Sequence, residues 1–317
     1  MARKKKRVIK INWSVVFSSA IILSAFIVVS IFSGNDWNKW LPNIEGFSSQ
    51  IFTNYSLNKV PKTADVLVHY IDVGQGDSIL IQSGVENVLI DAGENDKSED
   101  VVAYLKSIGV KTLNMVVATH PHSDHIGGLD VVIENFDVKK VIMPEVPKDI
   151  LPTNKTYTDF LYAIKDNSVK ANLAYPGDSY KVGDGTLTVL GPVNAYDNLN
   201  NLSLVMKFSY KSKAFLFTGD QESDAEYDLL NTGADVSADV LKVGHHGSST
   251  SSSQKFIDAV GADIYVIEVG RDNRYNHPHA EIRQRLGETG KPVYRTDIDG
   301  TVVMATDGKE ISIYTER

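Results

Sequence analysis

The sequence predicts an α/β layered domain behind one membrane-spanning helix, on three observations. Strand-like and helix-like apolar patterns alternate from Val66 onward, a single long uncharged stretch lies near the N-terminus, and seven of eight histidines fall in three tight clusters. Mixed sheets with helices outside them are the stable solution for such an alternation.

The 317 residues suffice for a short anchor plus one domain of about 250 residues with a substantial core. The chain has no cysteine, which excludes disulfides, zinc–thiolate sites, a cysteine nucleophile and a lipoprotein anchor. Any metal site must therefore use histidine and carboxylate, a donor set that suits zinc, manganese or iron.

Charge is unevenly placed. Arg3, Lys4, Lys5, Lys6, Arg7 and Lys10 take six of the 32 basic residues, so the rest of the chain carries 26 basic against 40 acidic residues, a net charge of −14. That balance counts against tight, salt-sensitive binding of long nucleic acid. No charge occurs between Lys10 and Asp36, and residues 13–32 within that gap match one bilayer core, about 30 Å as a helix. The predicted division is a basic cytoplasmic tail (1–10), a transmembrane anchor (11–33), a linker (34–64) with Trp37 and Trp40 at the interface, and the layered α/β domain (65–317). The positive-inside rule keeps the tail in the cytoplasm and places the domain outside.

Within the domain, 66–73, 78–82 and 87–90 read as short antiparallel strands with glycine-containing turns. A helix begins at Ser98, with Val101, Val102, Leu105 and Ile108 on one face, and Gly109 ends it. Then follow a strand at 115–119, a helix at 126–136, a strand at 138–143 and a helix at 157–166. Strands at 204–209 and 214–218 precede a helix from Glu222. Strands at 240–243, 264–269, 293–296, 302–305 and 311–314 complete the chain, with helices at 252–260 and 280–288.

The first histidine cluster, His120-Pro121-His122-Ser123-Asp124-His125, follows the apolar strand at 115–119 directly. His120 and His122 project from one side of a tight turn while Asp124 and His125 open the next helix. Two imidazoles and a carboxylate–imidazole pair thus converge on two adjacent cations, and Gly127 and Gly128 let the helix start pack close. His69 stands alone and reads as a structural strand residue.

This cluster resembles the second motif of the metallo-beta-lactamase superfamily. Asp72-Val73-Gly74-Gln75-Gly76-Asp77-Ser78, Ile90-Asp91-Ala92-Gly93, Thr218-Gly219-Asp220, Lys242-Val243-Gly244-His245-His246-Gly247-Ser248 and Asn276-His277-Pro278-His279 occur in the superfamily's order. The first and fourth strings are similar to those of the hydrolase domain of ComEC-type competence proteins. The resemblance implies a four-layer αββα metallo-beta-lactamase fold and two divalent metal ions, zinc or manganese. It implies His120, His122, Asp124 and His125 as ligands, with Asp220 as the carboxylate shared by both ions. One of His245 and His246 completes the second metal's shell and the other contacts substrate; with His245 as ligand, His246 joins the catalytic candidates.

By the same resemblance, Asp91 braces the ligand loop, while Asp77 does likewise or holds a turn. His277 and His279 face the scissile group, and one of His246, His277 and His279 protonates the leaving oxygen. Asp124 or Asp220 orients the nucleophile. Lys242, Ser248, Arg271 and Arg274 are near enough in sequence to grip a phosphate. The string 72–78 either offers backbone N–H groups to a phosphate or forms a bulged turn. One departure stands out: many superfamily members have a further histidine ligand before the shared aspartate, and 126–244 contain none.

The leading expectation is a phosphodiesterase acting outside the cell on DNA or a phosphodiester wall polymer. A carbon-ester, lactone or lactam hydrolase on the same site is the second reading, and a non-catalytic DNA-uptake accessory the third. No protein partner is implied.

Overall fold

The computed structural model describes residues 64–317 together with Leu57, Val60 and Pro61. All belong to one compact unit. The expected tail and anchor lie outside the described residues, as does the linker apart from Leu57, Val60, Pro61 and Ala64.

In chain order the strands are β1 Val66–Tyr70, β2 Ile79–Ser83, β3 Glu86–Ile90, β4 Thr112–Leu113, β5 Met115–Val117, β6 Asp137–Val138, β7 Lys140–Met143, β8 Lys170–Leu173 and β9 Ser179–Val182. They continue as β10 Gly185–Gly191, β11 Val205–Tyr210, β12 Lys213–Phe217, β13 Val240–Lys242, β14 Ile264–Ile267, β15 Val293–Arg295, β16 Val302–Thr306 and β17 Ile311–Thr315. The helices are α1 Ser98–Ser107, α2 Ser123–Ile126, α3 Leu129–Asn135, α4 Lys155–Asp166, α5 Ser223–Asn231, α6 Gln254–Val260, α7 Ala280–Glu288 and α8 Thr296–Asp299.

Eight strands form one sheet in the order β17-β16-β1-β2-β3-β5-β7-β8, and seven form another in the order β15-β14-β13-β12-β11-β10-β9. Strand alternation sets the layers. Ile79 and Ile81 of β2 face the core shared with Met206, Phe208, Phe215 and Phe217 of the second sheet. Leu80 between them faces the other way, among Val101 and Leu105 of α1, Leu129 and Val132 of α3 and Phe160 of α4. On the far side, Leu216, Leu241 and Ile267 pack against Leu229 of α5, Phe256 of α6 and Leu286 of α7. The three cores separate four layers, helix–sheet–sheet–helix.

Several boundaries differ from expectation for physical reasons. The helix expected at 126–136 is two, α2 and α3, broken at Gly127 and Gly128. A Cβ on Gly127 would stand 2.4 Å from Asn95 N, and one on Gly128 2.4 Å from Ala92 O, so only glycine allows that approach. Ile108 falls beyond the end of α1 and is 38% exposed rather than on the apolar face. Residues 170–191, assigned no element from sequence, supply β8, β9 and β10. β8 is exposed throughout and so lacks an apolar alternation to read, whereas β10 buries Gly185, Leu187, Val189 and Gly191 at period two.

Parallel pairs β3–β5, β12–β13 and β13–β14 point their C-terminal ends the same way within each sheet. The loops leaving those ends carry the histidine clusters, the usual place for a site in open α/β sheets.

Candidate metal centre

Asp91, just past β3, holds a left-handed backbone conformation at φ 56. Its side chain accepts from Thr119 N–H at 2.8 Å and from Thr119 Oγ1 at 2.6 Å, which turns the chain away from β5. The same carboxylate takes His125 Nδ1 at 2.7 Å, leaving Nε2 as that ring's free nitrogen. Asp91 thus ties the ligand loop to the neighbouring strand and fixes one imidazole's orientation.

Asp220 leaves β12 in a tight turn, and its N–H donates to Ser203 Oγ at 3.0 Å. Its two carboxylate oxygens face different histidines. Oδ1 lies 3.2 Å from His125 Nε2 and 3.6 Å from His246 Nε2. Oδ2 lies 3.6 Å from His245 Nε2 and 3.9 Å from His120 Nε2. His122 Nδ1 stands 3.0 Å from His120 Nε2, and Asp124 Oδ2 3.3 Å from His246 Nε2. Two ligand sets emerge, sharing Asp220: His120, His122 and Asp220, and Asp124, His125, Asp220 and His246.

These sets fit divalent cations. Asp220 Oδ1, His125 Nε2 and His246 Nε2 are buried without a hydrogen-bond partner, although buried polar atoms are nearly always satisfied. Each of the two rings is held from behind at Nδ1, His125 by Asp91 and His246 by the Glu268 carbonyl at 2.9 Å, so its Nε2 is presented inward.

The electrostatics agree. Burial opposes charge on His125, yet Asp220, Asp77 and Asp91 hold its pKa well above the ordinary histidine value. Burial likewise works against His246, but Asp220 and Asp77 raise it to about 10. Burial would raise Asp220, but His246 and His125 keep it well below the usual carboxylate range. The carboxylates thus favour positive charge between these rings, which a divalent cation would supply in place of protons.

His245 and His246 sit at φ 50 and φ 54, a left-handed pair that is unusual outside glycine and costly enough to need a reason. Beneath them Lys242 is fully buried, paired with Asp77 and donating to Gly219 O at 3.1 Å. Glu268, also fully buried, accepts from Ser78 N–H at 2.9 Å, and burial with Asp77 nearby pushes its carboxyl well above the usual range.

A model of the family described as the metallo-beta-lactamase superfamily matches residues 71–270. This chain belongs to that superfamily. ComE operon protein 3 of Bacillus subtilis is 32% identical over 259 residues, covering 74% of this chain and 32% of the relative. Competence protein ComA of Neisseria gonorrhoeae is 28% identical over 255 residues, covering 79% of this chain and 34% of the relative. The chain therefore spans about a third of the length of the curated relatives it matches. Among solved structures, CmlA, a diiron beta-hydroxylase from Streptomyces venezuelae, is similar with a TM-score of 0.51 at 12% identity, over 74% of this chain and 53% of that one. That likeness is one of fold alone. The superfamily fold implies divalent metal ions, and the histidine–aspartate clusters are placed to bind them.

The structure corrects several expected roles. Lys242 cannot grip a phosphate, because it is buried beneath the site and spent on Asp77 and Gly219. Ser248 is buried and its Oγ is taken up by Thr250 at 3.0 Å, so it shapes its own turn. Arg271 donates through Nε and Nη2 to the Asp297 carbonyl, which holds it away from the ligand loops. Arg274 differs: it is exposed, lies over the Tyr275 ring at 4.8 Å, and feels the charges of Glu94 and Asp124.

His279, expected among the proton donors, accepts from Ser249 N–H through Nδ1 at 2.9 Å and faces the Tyr275 carbonyl through Nε2 at 3.2 Å. Both nitrogens are engaged in closing the loop. His277 Nδ1 is instead buried and unpartnered, and its ring lies 5.5 Å from that of His245. His246, expected as the catalytic member of its pair, falls in the second ligand set, whereas His245 stands beside the other oxygen of Asp220. The string 72–78 offers no cradle for phosphate from Gly74, Asp77 or Ser78, whose N–H groups bond to Asp72, Asp124 and Glu268.

Sequence reasoning missed Ser203, Glu222 and Glu268. Glu268 had a visible signal, a lone acid in the apolar run Ile264-Tyr265-Val266-Ile267-Glu268-Val269. Ser203 had none, since a serine beside a strand is ordinary.

Proposed function

We propose that this chain is a membrane-anchored, dinuclear metal-dependent phosphodiesterase acting outside the cytoplasm. The observation that carries this reading is the division of Asp220, whose two oxygens face separate histidines across one buried centre. Two divalent cations held there supply Lewis acidity and a nucleophile at neutral pH. The chain's own residues do the rest. Asp91, the Glu268 carbonyl and Ser203 keep the ligands oriented, and Asp124 positions the nucleophile beside His246. Arg274 meets the phosphate charge, and His277, neutral because burial and then His246 and His245 lower its pKa to about 4, offers its ring as a hydrogen-bond donor to the leaving oxygen.

Support for phosphodiester over carbon ester comes from an exposed guanidinium, Arg274 over Tyr275, on the same loop as the buried, unpartnered Nδ1 of His277. An alkoxide leaving group from phosphorus gains from both charge neutralisation and a hydrogen bond to its oxygen. The name of one relative, a competence protein, supports DNA as the polymer. Zinc or manganese would suit the histidine–carboxylate set of His120, His122, Asp124, His125, Asp220 and His246.

The test is hydrolysis by the full chain, purified in detergent and loaded with manganese or zinc. Substrates are single-stranded DNA, bis-p-nitrophenyl phosphate and a lactone. Cleavage of the first two, abolished in Asp220→Ala together with both metals, is expected. Cleavage of the lactone alone would move the assignment to carbon-ester chemistry, and no turnover on any substrate would favour a DNA-uptake accessory.

A further inference from the structure

Counted by tight geometry, the two ligand sets are unequal. One has Asp124, His125, His246 and the shared Asp220, whereas the other has only His120, His122 and Asp220. Catalytic zinc-type sites hold their ion with three protein ligands of their own, so two histidines and half a carboxylate form a weak site. The mid-chain histidine absent from 126–244 would have filled that place. Ser203 does not replace it: its Oγ accepts from Asp220 N–H and lies 3.3 Å from His120 Nδ1, behind the ligands rather than among them.

We infer that His245 is the missing third histidine of the His120–His122 site, held in place by Glu222. Four observations converge. His245 Nε2 stands 3.6 Å from Asp220 Oδ2, the oxygen that also faces His120. Its Nδ1 is flanked by Thr250 Oγ1 at 3.3 Å and Glu222 Oε1 at 3.5 Å. That carboxylate–histidine arrangement orients a ligand ring and raises its basicity, as Asp91 does for His125. Glu222 is itself fixed, accepting from Asn198 Nδ2 at 2.7 Å, Asn200 Nδ2 at 3.2 Å and Thr250 Oγ1 at 3.0 Å.

The backbone supplies the last observation. His245 N–H donates to Gly219 O at 3.1 Å, tying it to the residue before Asp220, and its φ of 50 is held despite the cost to a side-chain-bearing residue. Two successive left-handed residues send adjacent rings to opposite oxygens of one carboxylate, which a regular turn would not do. His245 lies outside the set whose ligand atoms are all within 4.8 Å of one another, and its side chain is 22% exposed, so the ring has room to close on an ion.

The inference rests on the two-cation reading of the same site but not on the substrate. Its test uses the 317-residue chain in detergent with manganese(II) alone and no substrate. Metal content after equilibrium dialysis and the electron paramagnetic resonance spectrum are the readouts. The wild type should bind two ions and give a spin-coupled pair spectrum. His245→Gly should bind one ion and give an uncoupled six-line spectrum, its affinity for the second ion falling at least 100-fold. Glycine suits a positive φ, so this variant relieves the backbone and keeps the fold; an unchanged metal-free melting temperature checks that. Glu222→Gln should weaken the same ion by about 10–100-fold and leave the other untouched. Two ions bound by His245→Gly with wild-type affinity would overturn the assignment and make His245 a substrate contact. A single ion in the wild type would overturn it as well. If both ions bind as stated while no phosphodiester is cleaved, the proposed function fails and this ligand assignment stands.

Discussion

At the scale of single residues, the site works by giving each ring nitrogen one task. His279 has both nitrogens committed to the backbone of 249 and 275, whereas His277 keeps Nδ1 free beside the centre. His277 is neutral at pH 7, its pKa lowered to about 4 by burial and by His246 and His245. Its help is a hydrogen bond to the leaving oxygen, bounded above by the ~10²–10⁴-fold of full proton donation and felt only where that oxygen is a poor leaving group. His277→Ala should therefore retain both metals, cut DNA cleavage by no more than that range and leave bis-p-nitrophenyl phosphate, whose leaving group departs unassisted, nearly unaffected. His279→Ala should instead slacken the loop and depress both substrates alike. Parallel kinetics on the two substrates decide between them, and equal losses in His277→Ala would remove its role as donor.

The elements are joined by buried polar contacts as much as by apolar ones. Helix α1 docks on the first sheet through Val101 and Leu105, and also through His69 of β1, whose Nδ1 lies 2.8 Å from the Tyr104 hydroxyl and Nε2 3.1 Å from Gln82 Oε1. Burial outweighs the Gln82 hydrogen bond and lowers the His69 pKa to about 4. The unfolded chain, with an ordinary histidine near 6.5, takes up the proton first as pH falls. Stability from this contact is thus complete above about pH 6.5 and is lost as pH falls toward 4, by about 1.4 kcal/mol per unit and about 3 kcal/mol in all. Urea unfolding across that window should show a shallower acid decline in His69→Gln than in the wild type. Parallel declines would mean that His69 is solvated in the folded state.

The loops are elements in the same sense. Gly76 illustrates the fit: a Cβ there would stand 2.3 Å from Asp124 O, the carbonyl that also accepts from Asp77 N–H at 3.1 Å. The string 72–78 is therefore a strut beneath the Asp124 loop, although the same residues read equally well as a phosphate cradle before the fold was known.

For the whole molecule, the acidic domain and the basic N-terminal tail set a testable orientation. Six positive charges precede the uncharged stretch at 13–32, and under the positive-inside rule they would stay in the cytoplasm, as the proposed topology has it. Protease added to spheroplasts of a bacterial host expressing the full chain should degrade the 65–317 domain, and full protection would reverse the proposed topology.

Much of the domain was legible because its signals are local. The alternation of strands and helices, the ligand loop after β5 and the Thr-Gly-Asp turn after β12 depend on neighbours in the chain, and spacing alone reads them. The sequence by itself also determined the donor chemistry, since a chain without cysteine offers only imidazole and carboxylate. What the tertiary structure alone decided were choices between near neighbours: which oxygen of Asp220 each of His245 and His246 approaches, whether Lys242 faces solvent or Asp77, and which of His277 and His279 keeps a free nitrogen. The reason is physical. Those choices depend on partners far along the chain, such as Glu268 bonding to Ser78 across 190 residues. They also depend on a left-handed backbone at 245 and 246 that no residue pattern announces, and only packing the two sheets together creates either.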